Sequence, residues 1–512
     1  MTTYYFDSVG GSDTTGDGSI GNPWAQFDNK VGSTVAGDRC LFKRGTVQSI
    51  ATQFRAPKDG TSAAIPFYLG AYGAGARPVF RYTGTVWGYI LNFANRRWVT
   101  VEDIDFDAQG LLQSTVYVAA QGIGTCQTIR FSRCDFYGSG NTQGVAVAKE
   151  ASATTATISD VIFTDCKAYN NAGHGFYACA TSAVRYKRCV AFANGATASA
   201  GGHGFSARWN RTDVTTGWTL VSGTIYKRTL SAAEAAGSVD YMQSTPYAKV
   251  TKNTGTPTTP SAGQFGVSAG ELYVNLNATP EGVAVRYAWG RCTDVGYIDC
   301  ISYGNVANLS APYLEGHGFA FDDFTENSFA DRCISFENDG AGFSINRGDG
   351  NAVRNSLIYA NGSAGIACNT SSSVVLRGLT VARNNAGSAY APAGTVSELS
   401  FSAYANSGTV QNCCILARDS GNTYGINIDP AATGWVVSYC NITGFTTPVR
   451  TVSPTNAVSG VPVLSPRYAP VPDSFLLAAG THLGYGRDVY GRQRPRPPAV
   501  GACDVATLRT PL

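Results

Sequence analysis

Apolar and polar residues alternate at every second position through most of the chain, and the repeated part contains no ten-residue stretch with helical spacing. The segment Ile129–Cys134 alternates in this way, as do Val161–Cys166 and Val184–Cys189. Segments of this length, bounded by Asn and Gly, are typical of short β-strands. The pattern therefore predicts an all-β protein made of many short strands.

These strand segments recur with a regular period. Cys166 and Cys189 are 23 residues apart, and the next longer intervals, of 27 to 34 residues, fit the same unit with longer loops. Periods in the twenties are typical of solenoids. One position marks each unit: Cys134, Cys166, Cys189, Cys300, Cys333, Ser356, Leu379, Cys413 and Cys440. Rungs stacked about 4.8 Å apart would bring these side chains into one internal column, so we expect a right-handed parallel β-helix with buried, unbridged thiols.

Asn and Gly follow each marker, as in Tyr169–Gly173 and Phe336–Gly340. Because both residue types tolerate left-handed backbone, we expect them to form the corners between sheets.

The interval from Cys189 to Cys300 is too long for one rung and indicates an insertion, a small β-rich lobe over residues 212–288. Pro23–Asp28 predicts a short helix that caps the first rung. The predicted division comprises an N-terminal cap with first rungs, β-helix, lobe, β-helix, and a C-terminal cap or tail, at 1–95, 96–211, 212–288, 289–465 and 466–512.

Charge and composition indicate which classes of binding partner and which cellular compartment are expected. Charged residues make up 14% of the chain, against about 25% in typical globular proteins, and the net charge of +3 forms no basic stripe, so a nucleic acid partner is not expected. The sequence contains no run of about 18 apolar residues, so membrane insertion is not expected. The first residues do not resemble a signal peptide. Fourteen cysteines set in apolar strand patterns indicate folding in a reducing cytosol.

Several segments resemble the pectate-lyase-like superfamily of right-handed β-helix proteins, which includes bacterial enzymes and phage tailspikes: Tyr4–Asp13, Gly18–Trp24, Ala36–Gly45, Tyr72–Val79 and Asp488–Pro495. The resemblance spans nearly the whole chain. It implies the β-helix fold, a polysaccharide partner and a side-by-side homotrimer. The resemblance identifies no catalytic residue in this sequence, because the same scaffold hosts lyases, hydrolases, epimerases and tailspikes.

The motif Gly-His-Gly-Phe occurs three times and contains His174, His203 and His317. Their positions in the repeat predict that the three imidazoles stack on adjacent rungs. Two interpretations stay open: corner histidines that are hydrogen-bonded to a neighbouring turn, or a functional column of acid/base groups or sugar ligands.

Side chains that point outward after each Phe form a second column, which reads Cys179, Arg208, Asp322, Asn346 and Asn369. Glu315, Asp323, Arg347 and Asp349 lie nearby in the repeat. One interpretation is an asparagine and aspartate ladder that stabilises exposed strands. The other is an active site, because this cluster holds more ionisable groups than any comparable stretch of the repeats.

Two reactions fit these residues. Hydrolysis needs two carboxylates, so Asp322 would pair with Glu315, Asp323 or Asp349. β-Elimination needs a base, His203 or His317, and cations such as Arg208 and Arg347. If the protein is a lyase, Ca²⁺ on Asp322 and Asp323 is a further candidate, whereas no Cys or His spacing typical of a zinc site occurs.

Two tryptophans flank the predicted lobe. Trp209 precedes it and Trp289 follows it, so each is expected either to stack on a sugar or to lie buried at the hinge. The lobe itself is expected to form one wall of a substrate groove.

The leading hypothesis is a phage tailspike-like depolymerase that cleaves a bacterial surface polysaccharide and reaches the virion after folding in the cytoplasm. One alternative is a secreted bacterial polysaccharide lyase or hydrolase. Another is a glycan-binding spike or adhesin without catalytic activity.

Overall fold

The computed structural model describes residues 1–503 except 52–53, 56–57, 86–87, 150–155, 196–200, 238, 245–247, 291, 308–315, 386–396, 419–422, 467, 469, 471–473, 475, 478, 482–486 and 495–497.

Three long parallel sheets form the body, and each turn of the chain adds one strand to each of them in the order sheet 1, sheet 2, sheet 3. Within the described residues sheet 1 consists of Thr3–Phe6, Arg39–Lys43, Phe67–Tyr72, Arg97–Glu102, Thr125–Ser132, Thr157–Thr164, Val184–Lys187, Gly296–Ile298, Phe329–Asp331, Ala352–Arg354, Val374–Arg377, Ser407–Gln411 and Gly434–Ser438. Sheet 2 consists of Val47–Ile50, Val79–Tyr82, Asp105–Asp107, Asp135–Tyr137, Lys167–Tyr169, Val190–Phe192, Ile301–Tyr303, Ile334–Phe336, Leu357–Tyr359, Thr380–Ala382, Cys414–Leu416 and Asn441–Thr443. Sheet 3 consists of Phe54–Arg55, Tyr89–Asn92, Ser114–Ala120, Val145–Lys149, Phe176–Cys179, Phe205–Arg208, Phe319–Phe321, Phe343–Asn346, Ile366–Asn369, Ser397–Phe401, Tyr424–Ile428 and Thr447–Arg450. The predicted all-β parallel β-helix is thus confirmed, and its rungs begin at residue 3.

Inward-pointing side chains stack from rung to rung and fill the interior. On sheet 3 the rings of Phe176 and Phe205 are 5.0 Å apart, and Phe319 and Phe343 continue the stack at 4.8 and 4.7 Å. In-register parallel pairing repeats each alternating pattern directly above the last, so a period-two sequence yields one continuous apolar core.

The marker cysteines lie inside, as predicted. All fourteen cysteines are buried free thiols. Eight of the sulfurs face a carbonyl oxygen of the preceding rung, as in the 3.4 Å contact of Cys333 Sγ with the Tyr297 oxygen. Burial raises the pKa of the Cys126 and Cys368 thiols to about 12, so these groups are uncharged packing residues.

The predicted left-handed Asn and Gly at the corner between sheets 2 and 3 are confirmed in two rungs, by Asn170 and Gly304 with φ of 53° and 59°. In other rungs the left-handed residue, which directly precedes the Asn that recurs from rung to rung, is of another type. Examples are Ala193 and Glu337, with φ of 51° and 52°. The asparagines that follow are buried and form a side-chain amide ladder: Asn171, Asn194, Asn305, Asn338, Asn361 and Asn384. Each Nδ2 donates to the next Oδ1 at 2.7 to 3.0 Å, so these residues supply hydrogen bonds rather than backbone freedom.

The insertion is an eight-stranded, mainly antiparallel sheet whose order is Asn210–Val214, Val285–Trp289, Val239–Ser244, Ala248–Lys252, Gln264–Ser268, Glu271–Asn275, Ile225–Thr229 and Thr219–Ser222, with a helix at Ala232–Gly237. The lobe therefore begins at residue 210 and ends at 289, and it has its own apolar core.

At the N-terminal end a helix at Phe27–Lys30, continued by a 3₁₀ turn at Val31–Ser33, covers the first rung through the fully buried Phe27. At the other end, C-terminal residues return over the outer face of sheet 2, where Val489 and Cys503 pack against Leu357. No helix in the described part of the chain is long and apolar enough to span a bilayer.

Candidate functional site

The outward column predicted on sheet 3 exists. Cys179 is in register with Arg208, and Asn346 with Asn369. Asp322 follows the strand Phe319–Phe321, and its backbone N–H donates to the Ala207 oxygen at 2.8 Å, which places it on the rung next to Arg208. Stacking thus joins residues that the whole lobe separates in the chain.

The three histidines form a stacked column beside these residues. The ring centres of His174 and His203 are 4.7 Å apart, and those of His203 and His317 are 4.8 Å apart. Each Nδ1 accepts a backbone N–H from the following rung: His203 N at 3.0 Å, His317 N at 3.2 Å and Ala341 N at 2.8 Å. The corner interpretation of these histidines therefore holds for Nδ1.

This arrangement selects the tautomer of the imidazoles. A nitrogen that accepts a backbone N–H carries no proton, so each neutral ring holds its proton on Nε2 and acts there as a donor. Protonating the ring would place a second hydrogen against the backbone donor. Burial, followed by the nearby His203 and Arg208, lowers the pKa of His174 well below its usual range. The predicted role of His203 or His317 as a base is therefore disfavoured, because an Nε2–H group cannot accept a proton.

Asp322 contacts the middle histidine of the column. Its Oδ2 lies 3.3 Å from His203 Nε2, and the Ser344 hydroxyl is 3.5 Å from Oδ1. Burial raises the pKa of Asp322, but the hydrogen bond from His203, then charge on His203 and His317 when they are protonated, and then Arg347 lower it below the usual range; the hydrogen bond and Arg347 act also while both imidazoles are neutral. Asp322 is thus an ionised carboxylate, which can accept a proton but cannot serve as the acid of a hydrolase.

Asp323 is held in a buried ion-pair cluster. Its Oδ1 is 2.8 Å from Arg347 Nη1 and its Oδ2 is 3.8 Å from Arg208 Nη1. Asp323 and Arg347 are 3% and 6% exposed. Asp323 and the following Phe324 both have left-handed backbone, with φ of 41° and 71°, a conformation that costs about 1 kcal/mol or more for residues other than Gly. The backbone at the centre of the cluster is therefore strained.

Tyr177 is a member of this face that the sequence analysis missed. It is the first outward residue of its strand, and its hydroxyl accepts a hydrogen bond from Arg208 Nε at 3.1 Å. The Arg208 guanidinium also lies 5.5 Å from the centre of the Tyr177 ring, and the His174 ring stacks with the Tyr177 ring at 5.5 Å between centres. The same period-two alternation that identified Arg208 would have identified Tyr177.

Both flanking tryptophans are buried, so the expectation that they stack on a sugar is wrong. Trp209 is 1% exposed and donates its indole N–H to the Cys292 oxygen inside the β-helix. Trp289 packs in the lobe core and donates to the Thr212 hydroxyl at 3.2 Å. The two tryptophans lie buried where the chain enters and leaves the lobe, as the hinge interpretation predicts.

The remaining candidate residues lie at the edge of the cluster or outside the residues that the structure describes. Asn346 continues the outward column, half-buried beside the exposed Asn369. Asp349 lies in the next turn, where its Oδ1 accepts the Ser372 backbone N–H at 2.8 Å. Glu315 falls outside the described residues.

The Ca²⁺ site on Asp322 and Asp323 stays a prediction. Among the described residues no group of three or more His, Cys, Asp or Glu side chains could hold a metal ion. Asp323 is already neutralised by Arg347, so Ca²⁺ on the Asp322 and Asp323 pair would have to displace that contact.

No protein-family model and no curated protein matches the sequence. Solved structures do match. The A-module of mannuronan C-5 epimerase AlgE6 from Azotobacter vinelandii has a TM-score of 0.51 and 14% identity, over 83% of this chain and 91% of that one. The AlgE4 A-module of the same organism has a TM-score of 0.50 and 14% identity, over 82% and 91%. Pectate lyase Pel9A has a TM-score of 0.49 and 13% identity, over 99% and 97%. At 14% identity the likeness to the two epimerase modules establishes the fold alone.

Proposed function

We propose that this chain, a parallel β-helix of the pectate-lyase-like kind, binds an acidic polysaccharide on the outer face of sheet 3 and cleaves it by β-elimination. The contact between His203 and Asp322 carries the proposal, because it sets an ionised carboxylate beside a column of Nε2–H donors. Arg208 adds a partly exposed cation on the adjacent rung. Such convergence of a few oriented polar groups is typical of ligand sites.

Each group has a definite role in this proposal. Arg208 and the Nε2–H of His317 bind the carboxylate of the sugar and so make its C5 proton more acidic; a neutral imidazole is suited to such a donor role. Asp322 accepts that proton. The C4–O bond then breaks, the C4–C5 double bond forms, and the leaving oxygen takes a proton from water. The lowered pKa of Asp322 makes it a weak base, so the reaction depends on the carboxylate contacts.

Hydrolysis fits less well. A glycosidase needs one protonated carboxyl group and a second carboxylate opposite it. Asp322 is held ionised, Asp323 is paired with Arg347, and Asp349 caps a turn. The described residues therefore supply no protonated acid near Asp322.

The finer form of the proposal is a tailspike-like depolymerase of a bacterial surface polysaccharide, assembled as a homotrimer and carried on a phage virion. Its support is the predicted folding in a reducing cytosol, to which fourteen buried free thiols are suited. The rival is a spike that binds glycan without cutting it.

One experiment separates these outcomes. The purified chain is incubated with a panel of uronate-containing and neutral capsular polysaccharides, and chain length and ultraviolet absorbance of unsaturated products are followed together. Shortening with new absorbance supports elimination. Shortening without absorbance would replace it by hydrolysis, and binding without shortening would leave only the non-catalytic spike.

A further inference from the structure

The outer face of sheet 3 carries two tyrosines with one small residue between them. Tyr117 is in register with Ala146, and Ala146 is in register with Tyr177. Because rungs are about 4.8 Å apart, the two tyrosines start from backbones about 9.6 Å apart, and the residue between them in this row adds only a methyl group. Both rings pack on the same neighbours, Ala148 and Cys179, and so lean to the same side of their strands. The space between the two rings, over Ala146, is called the slot below.

Each tyrosine directs one ring face toward the slot. The opposite face of Tyr117 is covered from the preceding rung by Tyr89, with 4.4 Å between ring centres and 21° between ring planes. On Tyr177 the Arg208 guanidinium, which belongs to the following rung, lies 5.5 Å from the ring centre. The two covered faces thus point away from each other, and the other two faces point toward the slot.

The slot has the thickness of one ring. The inward phenylalanines of sheet 3 stack with ring centres 4.7 to 5.0 Å apart on adjacent rungs. Two such intervals match the separation of two rungs, about 9.6 Å. The row Tyr117, Ala146 and Tyr177 is therefore an aromatic stack from which the middle ring is missing.

Solvent reaches this slot. Ala146 and Ala148, which form its floor, are 5% and 9% exposed, whereas the inward Ala178 of the next strand is fully buried. Tyr117 and Tyr177 are only half-buried. A ring-shaped group can therefore enter from the outer face of sheet 3.

We propose that the slot binds one pyranose ring of the polysaccharide, with Tyr117 and Tyr177 on its two sides. A pyranose has C–H groups on its faces and hydroxyl groups at its rim, so its faces pack on the aromatic rings while its rim stays in water. The slot lies on the face that carries Asp322, three rungs or about 14 Å away along the axis. The identity of the ligand rests on the proposed function, whereas the slot itself does not.

Ala146→Phe tests the slot without any ligand. The new ring should enter the slot and complete the stack, so the urea unfolding midpoint of the full chain should equal or exceed that of wild type. Ala178→Phe, inward on the next strand, is the control and should lower the midpoint, because the core there is already filled. A midpoint of Ala146→Phe below that of wild type would show that no ring fits between the tyrosines and would overturn the proposal.

Binding is measured with the capsular polysaccharide that the wild-type chain binds best. Tyr117→Ala should raise its Kd about tenfold or more. It should raise KM with little change in kcat, since a contact three rungs from Asp322 stabilises ground state and transition state alike. Ala146→Phe should weaken binding to a similar extent, because its ring occupies the slot. Tyr303→Ala, which removes a half-buried tyrosine from the stack on the outer face of sheet 2, is the matched control and should bind as wild type does.

The outcomes separate this inference from the proposed function. Wild-type affinity in either Tyr117→Ala or Ala146→Phe would overturn the slot and leave the role of Asp322 unaffected. Weaker binding by both variants of a polysaccharide that the wild-type chain does not shorten would support the slot and remove only the elimination reaction. If the wild-type chain binds no polysaccharide of the panel, both proposals are overturned.

Discussion

His203 Nε2 lies 3.3 Å from Asp322 Oδ2, while Nδ1 of the same ring accepts the backbone N–H of His317. Both nitrogens are therefore engaged, and the ring is fixed in position and tautomer. Asp322 in turn is oriented by a donor that cannot rotate away. This double constraint is the reason why we propose the carboxylate as the reactive group of the pair and the imidazole as its support.

Replacing Asp322 with Asn tests that assignment. The amide oxygen can still accept from His203, but it cannot take a proton, so we expect turnover to fall at least a hundredfold; at neutral pH the variant also loses the stability that the ionised carboxylate contributes. Asn369→Ala, in the same outward column, is the control and should cleave at the wild-type rate. Depolymerisation of the preferred glycan by Asp322→Asn at full speed would refute the catalytic role of Asp322.

The same variant has a predictable response to acid. The folded-state pKa of Asp322 lies below the unfolded value of about 3.9, so its charge stabilises the fold above that pH, and this contribution is lost as pH falls through the folded pKa. Urea unfolding of wild type should therefore lose stability relative to Asp322→Asn between about pH 4 and pH 2. Parallel pH curves for the two proteins would contradict the lowered pKa.

Lowering the pH should also destabilise the fold through His174, but at a higher pH than through Asp322. Its folded pKa is lowered, so below about pH 6.5 the unfolded chain binds a proton that the folded protein does not, and stability falls with acid. His174→Asn keeps an acceptor for the His203 N–H and should lose this slope. His174→Ala leaves that buried donor unsatisfied and should cost about 1 to 3 kcal/mol at neutral pH. Chemical denaturation at several pH values measures both effects.

The fold could be predicted from the sequence because Cys recurs at the spacing of one rung, as at Cys166 and Cys189. In-register stacking turns the Cys166 to Cys189 interval directly into a column, and the alternation around it fixes which side chains face inward. The role of Asn194 was not predictable in this way. Composition shows that Asn favours corners, but only the three-dimensional corner shows that Ala193 takes the left-handed backbone and frees Asn194 for the amide ladder.

The candidate site was predicted in part. The repeat placed His203 and Asp322 close together, because both are set by rung position. It could not show the tautomer, which depends on a backbone N–H from the next rung, nor the burial of Trp209, which depends on where the chain leaves the β-helix. Where a strand passes into a loop, the alternation of inward and outward side chains stops. Packing then decides where a side chain such as Trp209 points.

The ion pair of Arg347 with Asp323 should be important for stability. Arg347→Met removes the 2.8 Å contact from a 3% exposed carboxylate, so we expect a loss of about 3 to 5 kcal/mol. Asp323→Asn combined with Arg347→Met removes both charges and should recover part of that loss. A double-mutant cycle by urea unfolding measures the coupling, and simple additivity of the two changes would argue against the pair.

The homotrimer expected from the family resemblance can be tested directly. If three copies associate, light scattering at micromolar concentration should give a mass of three 53.8 kDa chains. A mass equal to one chain over the same range would remove the trimer from the proposal and leave the site on sheet 3 unaffected.

The amide ladder provides the sharpest stability test. Asn305 accepts from Asn194 Nδ2 at 3.0 Å and donates to Asn338 Oδ1 at 2.7 Å, and all three side chains are at most 1% exposed. Asn305→Ala leaves the buried Nδ2 of Asn194 without this acceptor, and each lost partner costs about 1 to 3 kcal/mol. We expect a total loss of about 3 kcal/mol or more, whereas Asn346→Ala on the outer face should change stability by about 0.5 kcal/mol or less. Similar unfolding midpoints for the two variants would show that the ladder is not a principal support of the β-helix.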